Sequence, residues 1–97
     1  MPGIYISQGP TNSYTPVSNS SISVIAANQN RQFANLTNDS AQVIYLALGS
    51  TAVLNSGIRL NAGGGSYEIN MNNMYKGQVS AITTPSGSLN LCYVEGI

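Results

Sequence analysis

The sequence predicts an all-β fold: a single compact antiparallel β-sandwich, or a flattened barrel, of about seven strands. Three observations predict it. From Ser21 onward, turn-forming clusters recur roughly every eight to twelve residues, the spacing of a sandwich or barrel. The runs between them are short, rich in Val, Ile, Leu and Tyr, and several alternate apolar with polar residues. No window carries a helical period. The chain divides into an extended N-terminal arm and linker over residues 1–21 and a sandwich domain over residues 22–97.

The arm begins with an apolar cluster, Ile4, Tyr5 and Ile6. Residues 8–16 that follow are polar and contain Pro10 and Pro16, which reads as an extended linker. Fully stretched, that linker reaches about 30 Å. Ile4, Tyr5 and Ile6, with Tyr14, are the candidate partner-binding residues, docking on a neighbouring subunit by strand addition.

Residues 22–27 form the first expected strand, closed by Asn28-Gln29-Asn30, and residues 31–37 the second, with Phe33 its largest apolar side chain. Residues 41–48, within AQVIYLALG, are the third and the longest nearly unbroken apolar run. Val43, Tyr45 and Ala47 would share one face and Ile44, Leu46 and Leu48 the other, so this strand is expected to be covered on both sides. Residues 50–56 read as loop, with Ala52-Val53-Leu54 able to pin it to the core.

Two hairpins are expected next. In the first, Ala62-Gly63-Gly64-Gly65 joins residues 58–61 to residues 66–71. An even loop sets Leu60 opposite Tyr67, Arg59 opposite Glu68 and Ile58 opposite Ile69, with apolar pairs on one face. The Arg59–Glu68 pair is worth only about 0.2–1 kcal/mol. In the second, the turn at residues 84–88 joins residues 75–83 to residues 89–94, pairing Ala81 with Leu91 and Val79 with Tyr93.

Composition excludes several functions. Of 97 residues 42% are hydrophobic, enough for a packed core, but only 6% are charged. Soluble domains carry about 25%. Arg31, Arg59 and Lys76 balance Asp39, Glu68 and Glu95. Three basic residues make neither a nucleic-acid footprint nor an anionic-membrane anchor, so no nucleic acid and no membrane is expected as partner. A neutral surface also lacks the repulsion that keeps a domain monomeric, and suits contact with other proteins. Met1-Pro2-Gly3 shows no basic leader region, no apolar leader core follows, and no run reaches spanning length.

Catalytic chemistry is equally thin. The chain has no histidine, so Ser-His and Cys-His pairs are excluded. The single cysteine, Cys92, reads as a small buried hydrophobe. One cysteine and three scattered acids do not make a zinc site, and no acid-rich loop offers calcium ligands. Glu68 and Glu95 read as surface charges rather than a glycosidase pair. The triple glycine lacks the Lys-Ser/Thr and helix of a phosphate cradle. The Asn-X-Ser/Thr triplets at Asn19, Asn35 and Asn38 read as chance in so Asn- and Ser-rich a chain. Tyr45, Tyr67 and Tyr93 fall at core-facing positions, while Tyr5 and Tyr14 are free for a partner. The sequence therefore implies no enzyme, no catalytic residue, no cofactor and no metal.

Several segments share an order with a known class. Ala26-Ala27-Asn28-Gln29-Asn30-Arg31 ends a strand, and Leu36-Thr37-Asn38-Asp39-Ser40 precedes Val43-Ile44-Tyr45-Leu46-Ala47-Leu48-Gly49. Gly57-Ile58-Arg59-Leu60 leads through glycines to Ser66-Tyr67-Glu68-Ile69, then come Tyr75-Lys76-Gly77-Gln78-Val79-Ser80-Ala81-Ile82 and residues 89–95. In that order, residues 24–95 resemble the small accessory β-sandwich proteins of tailed-bacteriophage virions. The resemblance excludes the arm and carries over no ligand residue. It implies a non-enzymatic virion protein, made in the host cytoplasm and placed on the capsid surface. The expected role is a capsid decoration (cement) protein bound to the major capsid protein, as a homo-oligomer with a trimer favoured. A tail, fibre or head–tail component is the alternative, and a carbohydrate-binding module, with exposed aromatics in a groove, is a third.

Far-UV circular dichroism tests the fold class. The expected spectrum is that of β-structure with almost no helix; a helical content of about one third, the ordinary base rate, would overturn the assignment.

Overall fold

The computed structural model describes residues 10–84 and 89–97. These form eight strands: β1 (Thr11–Val17), β2 (Ile22–Ile25), β3 (Phe33–Asn38), β4 (Ile44–Leu48), β5 (Ile58–Leu60), β6 (Ser66–Ile69), β7 (Val79–Thr83) and β8 (Leu89–Gly96). They make two four-stranded sheets, ordered β1-β8-β3-β6 and β2-β7-β4-β5. Every pairing is antiparallel. The expected all-β sandwich is therefore the fold, with one strand more than the seven expected. The order is that of a jelly roll, in which Greek-key connections wrap the chain around both sheets.

The additional strand is β1, and it corrects the reading of residues 8–16 as linker. Thr11 to Val17 pair with Glu95 to Leu89 along the whole of β8. Of its side chains only Val17 is fully buried, and Thr15 partly so. The strand is held by main-chain pairing rather than by apolar side chains, so hydrophobic periodicity does not reveal it. Pro16 is tolerated because β1 lies at a sheet edge, where a missing N–H costs no ladder bond.

Neither expected hairpin forms. β5 and β6 lie in different sheets, and so do β7 and β8. β5 pairs with β4, setting Leu60, Arg59 and Ile58 opposite Ile44, Tyr45 and Leu46. β6 pairs with β3, setting Ile69, Glu68 and Tyr67 opposite Ala34, Asn35 and Leu36. Arg59 and Glu68 thus sit on separate sheets. The first reason is the glycine corner. Gly63 (φ 74°) and Gly64 (φ 121°) donate their N–H groups to Ser40 O and Asn38 O, both at 2.9 Å. The corner is therefore bonded to the end of β3 and carries the chain across the sandwich, where side-chain-bearing residues would resist the left-handed backbone. The second reason is Asn38, which is fully buried. Its Nδ2 donates to Gln42 O at 2.7 Å and Leu60 O at 3.0 Å, and its Oδ1 accepts from Ser40 Oγ at 2.6 Å. One amide side chain thus fixes the crossing from β3 to β4 and the end of β5 together. Of the turn expected at residues 84–88, residues 85–88 lie outside the described residues.

Between the sheets, Val17, Leu36, Ile44, Leu46, Leu60, Ile69, Val79 and Leu91 form a core in which none is more than 1% exposed. Ile44 and Leu46 supply β4's inward face. The expectation that β4 is covered on both sides is met only in part: Tyr45 and Ala47 point outward half-buried, and Leu48 is 37% exposed. What covers the outer face is local. The β4–β5 connection folds back over it, because the Ala52 N–H donates to Ser21 Oγ at 2.9 Å, beside β2 on the far side of the sheet. Ala52 is buried as a result, as are the outward Ser80 and Ile82 of β7. The chain returns into β5 through Gly57 (φ 79°), where a Cβ would lie 2.3 Å from Leu46 O, so only glycine fits.

The two ends of β4 should respond differently to truncation. Leu46→Ala is expected to cost about 2–5 kcal/mol through lost burial and a residual cavity. Leu48→Ala should cost about 1 kcal/mol or less, since part of that side chain is already in water. Urea denaturation of the two variants measures the contrast; equal midpoints would show that β4 does not bury Leu46 selectively.

Candidate functional site

Two polar groupings among the described residues are candidates for a site, one inside the fold and one on its surface. The inner one centres on Arg31, which is 1% exposed. Its Nε donates to Glu95 Oε2 at 2.7 Å. Its Nη1 donates to Tyr75 O at 2.7 Å and Gly77 O at 3.0 Å, and its Nη2 to Ala26 O at 2.7 Å. The guanidinium thus clamps the exit of β2, the entry to β7 and the end of β8. Glu95 was expected at the surface as a bystander; it is instead the partner of a buried cation. Among the described residues no buried side-chain nitrogen or oxygen lacks a partner. All three guanidinium nitrogens are bonded within the fold, so the role of the cluster is architectural. The sequence signal for it is weak, since an Arg after an Asn-rich turn resembles any surface charge.

The outer place lies on the exposed face of the β2-β7-β4-β5 sheet. Tyr45, Asn55, Ser56, Gly57 and Arg59 line a shallow depression of about 300 Å³. Strand register sets Tyr45 between Arg59 on β5 and Ile82 on β7. The Tyr45 hydroxyl donates to Asn55 Oδ1 at 2.9 Å, fixing the ring against the loop. Tyr45 was expected in the core; the pleat turns it outward because Ile44 and Leu46 take the inner face. Tyr67 and Tyr93 do pack against the core, as expected.

Of the candidate partner-binding residues, Tyr14 lies on the outward face of β1, opposite Cys92, and is 59% exposed. Ile4, Tyr5 and Ile6 lie outside the described residues. Cys92 is half-buried rather than a core residue, because it shares the outward face with Tyr14 and Thr37. The acceptor triplet at Asn38 is a structural element, its amide buried and fully bonded. Among the described residues no three His, Cys, Asp or Glu side chains gather in one place.

No family model matches the chain, and neither a curated protein nor a solved structure matches it.

Removing the buried cation should be costly. Arg31→Met leaves Glu95 and three carbonyl groups without their donor, and the expected loss is about 3–5 kcal/mol. Arg31→Lys keeps the charge but not the planar fork, and should recover only a minor part. Chemical denaturation monitored by tyrosine fluorescence measures both; wild-type stability in Arg31→Met would remove Arg31 from its place as the clamp.

Proposed function

We propose that the protein is a non-enzymatic structural component of a bacteriophage virion. Its role in this reading is that of a capsid decoration (cement) protein, which binds the outer shell and stabilises it. The observation that carries the reading is how little charge the exterior bears. Arg31 and Glu95 consume each other inside the fold, leaving Asp39, Arg59, Glu68 and Lys76 as the charged side chains on the rest of the surface. The outward face of the β1-β8-β3-β6 sheet illustrates it. Asn12 and Tyr14 of β1, Val94 and Cys92 of β8, and Asn35 and Thr37 of β3 form an uncharged array ending at Glu68 of β6. Such a face loses little on desolvation and lies well against another protein. The jelly-roll order adds analogy only, since that architecture serves capsid proteins, lectins and enzymes alike.

In this reading the protein contacts neighbouring copies of the major capsid protein. Because it binds the assembled shell and not the dissociated subunits, it stabilises the shell by mass action. It acts as a homo-oligomer, a trimer by preference, on the capsid surface. Ile4, Tyr5 and Ile6 supply the specific attachment. Burial of each large side chain contributes about 1.5–3 kcal/mol. Ordering the chain that leads to them opposes this by about 1–2 kcal/mol per residue. Binding through one arm is therefore weak, and avidity within the oligomer makes it effective. Tyr14, exposed where the arm enters the fold, extends the same contact.

Deletion of residues 1–8 tests the proposal. The truncated protein should keep its melting midpoint and lose most of its binding to purified capsids. Full retention of capsid binding would show the arm to be idle and move attachment to the sheet face. Density for the protein on the tail, with none on the shell, would replace the cement role by that of a tail component.

A further inference from the structure

We propose that the depression formed by Tyr45, Asn55, Ser56 and Arg59 is a binding site for an acidic monosaccharide unit, a hexuronate. The proposal is independent of the cement role, which uses the opposite sheet and the arm. It begins with Arg59. The other arginine spends its donors inside the fold. Arg59 is exposed on edge strand β5, and its guanidinium makes no hydrogen bond or ion pair with any described residue. Glu68, the acid that sequence pairing would place opposite it, is on the other sheet. Arg59 therefore presents a full guanidinium to solvent, the group best shaped to hold a carboxylate through two parallel hydrogen bonds.

The surroundings define the rest of the ligand. None of the residues lining the depression is acidic. Asn55 commits its Oδ1 to the Tyr45 hydroxyl, which leaves its Nδ2 as a donor directed away from that bond. Ser56 brings a hydroxyl that both donates and accepts. The site is thus rich in donors and singly positive, complementary to an anion carrying several oxygen atoms. Its lining includes Tyr45, half-buried and opposite the buried, apolar Ile82 in the strand register. A sugar ring, with C–H groups on one face and hydroxyls around its rim, matches an apolar surface bordered by hydrogen-bonding groups. The volume of about 300 Å³ is at the small end of ligand sites, right for one sugar unit rather than an oligomer.

The loop is also set in advance. Asn55 holds a left-handed backbone at φ 62°, uncommon for a residue with a side chain. Gly57 holds φ 79° two residues later, against Leu46 O. Together with the Tyr45–Asn55 bond, these place Ser56 and Arg59 on a loop and strand fixed before ligand arrives, so little ordering cost falls on binding.

The test is an amide chemical-shift titration of the full chain with three probes: methyl glucuronide, methyl glucoside and acetate. Methyl glucuronide should shift the amides of Tyr45 and residues 55–59 saturably. The neutral glucoside and acetate should each bind at least about tenfold more weakly, the loss of one charge-assisted contact or of the ring contact. Arg59→Gln, a change on an exposed edge whose unperturbed spectrum verifies folding, should abolish the preference for glucuronide over glucoside. Glucoside binding as tight as glucuronide would remove the acidic requirement. Acetate binding as tight would reduce the site to a simple carboxylate contact. Glucuronide shifts confined to other residues would remove the site altogether. The wild-type probe series decides the question even if the variant misfolds.

Discussion

The fold depends on one buried cation. Arg31 reaches Ala26 O, Tyr75 O, Gly77 O and the Glu95 carboxylate from a position closed to water. Taking a guanidinium out of water is expensive, and its attraction to one carboxylate does not by itself offset the cost. The carbonyl oxygens complete its coordination. The interaction therefore contributes little net stability against an apolar core of equal volume, but a great deal of specificity. Any packing that separates the exit of β2 from the entry of β7, or either from the end of β8, strands a charge. In a chain with so few charges, that constraint distinguishes one arrangement of similar strands from another.

A second polar anchor closes the other part of the wrapping. Asn38 bonds the β3–β4 crossing to Leu60 at the end of β5, and Thr83 Oγ1 donates to Val43 O at 2.7 Å to join β7 to the approach of β4. The glycine corner then bonds back to Asn38 O and Ser40 O. The Asn38 and Thr83 side chains are buried and paired, as interior polar groups must be. They direct the path of the chain between sheets where apolar contacts, being non-directional, do not. The surface can then be left almost free of charge. The β4–β5 loop, folded over the outer sheet, contributes Asn55, Ser56 and Gly57 to the depression described above.

Much of this was legible from the residues. The all-β class follows from turn spacing, β2 and β4 fall within the runs expected for them, and β3 overruns its run by Asn38. Leu36, Ile44, Leu46, Leu60 and Ile69 occupy the inner face because period-two alternation is a local property of each strand. The triple glycine was legible as a turn, but not the direction in which it sends the chain. The candidate site divides the same way. Arg59 was identifiable as one of few cations, whereas its want of a partner follows from sheet assignment. Tyr45 was read as core because alternation identifies two faces and does not say which is inside.

By itself the sequence determined the class of structure, the strands with apolar faces and the scarcity of charge, all of which depend on neighbours in the chain. Only the tertiary structure decided which strands pair. Leu60 is equally apolar opposite Tyr67 or opposite Ile44, so the pattern that supported a β5–β6 hairpin supports the observed pairing just as well. The choice is made by contacts distant in sequence: glycine amides on the β3 end, an amide side chain under β5, and an arginine reaching 64 residues to Glu95. β1 shows the same limit from the other side. Its residues are polar and include a proline, yet they form a full-length strand, because an edge strand needs a partner's backbone more than it needs apolar side chains.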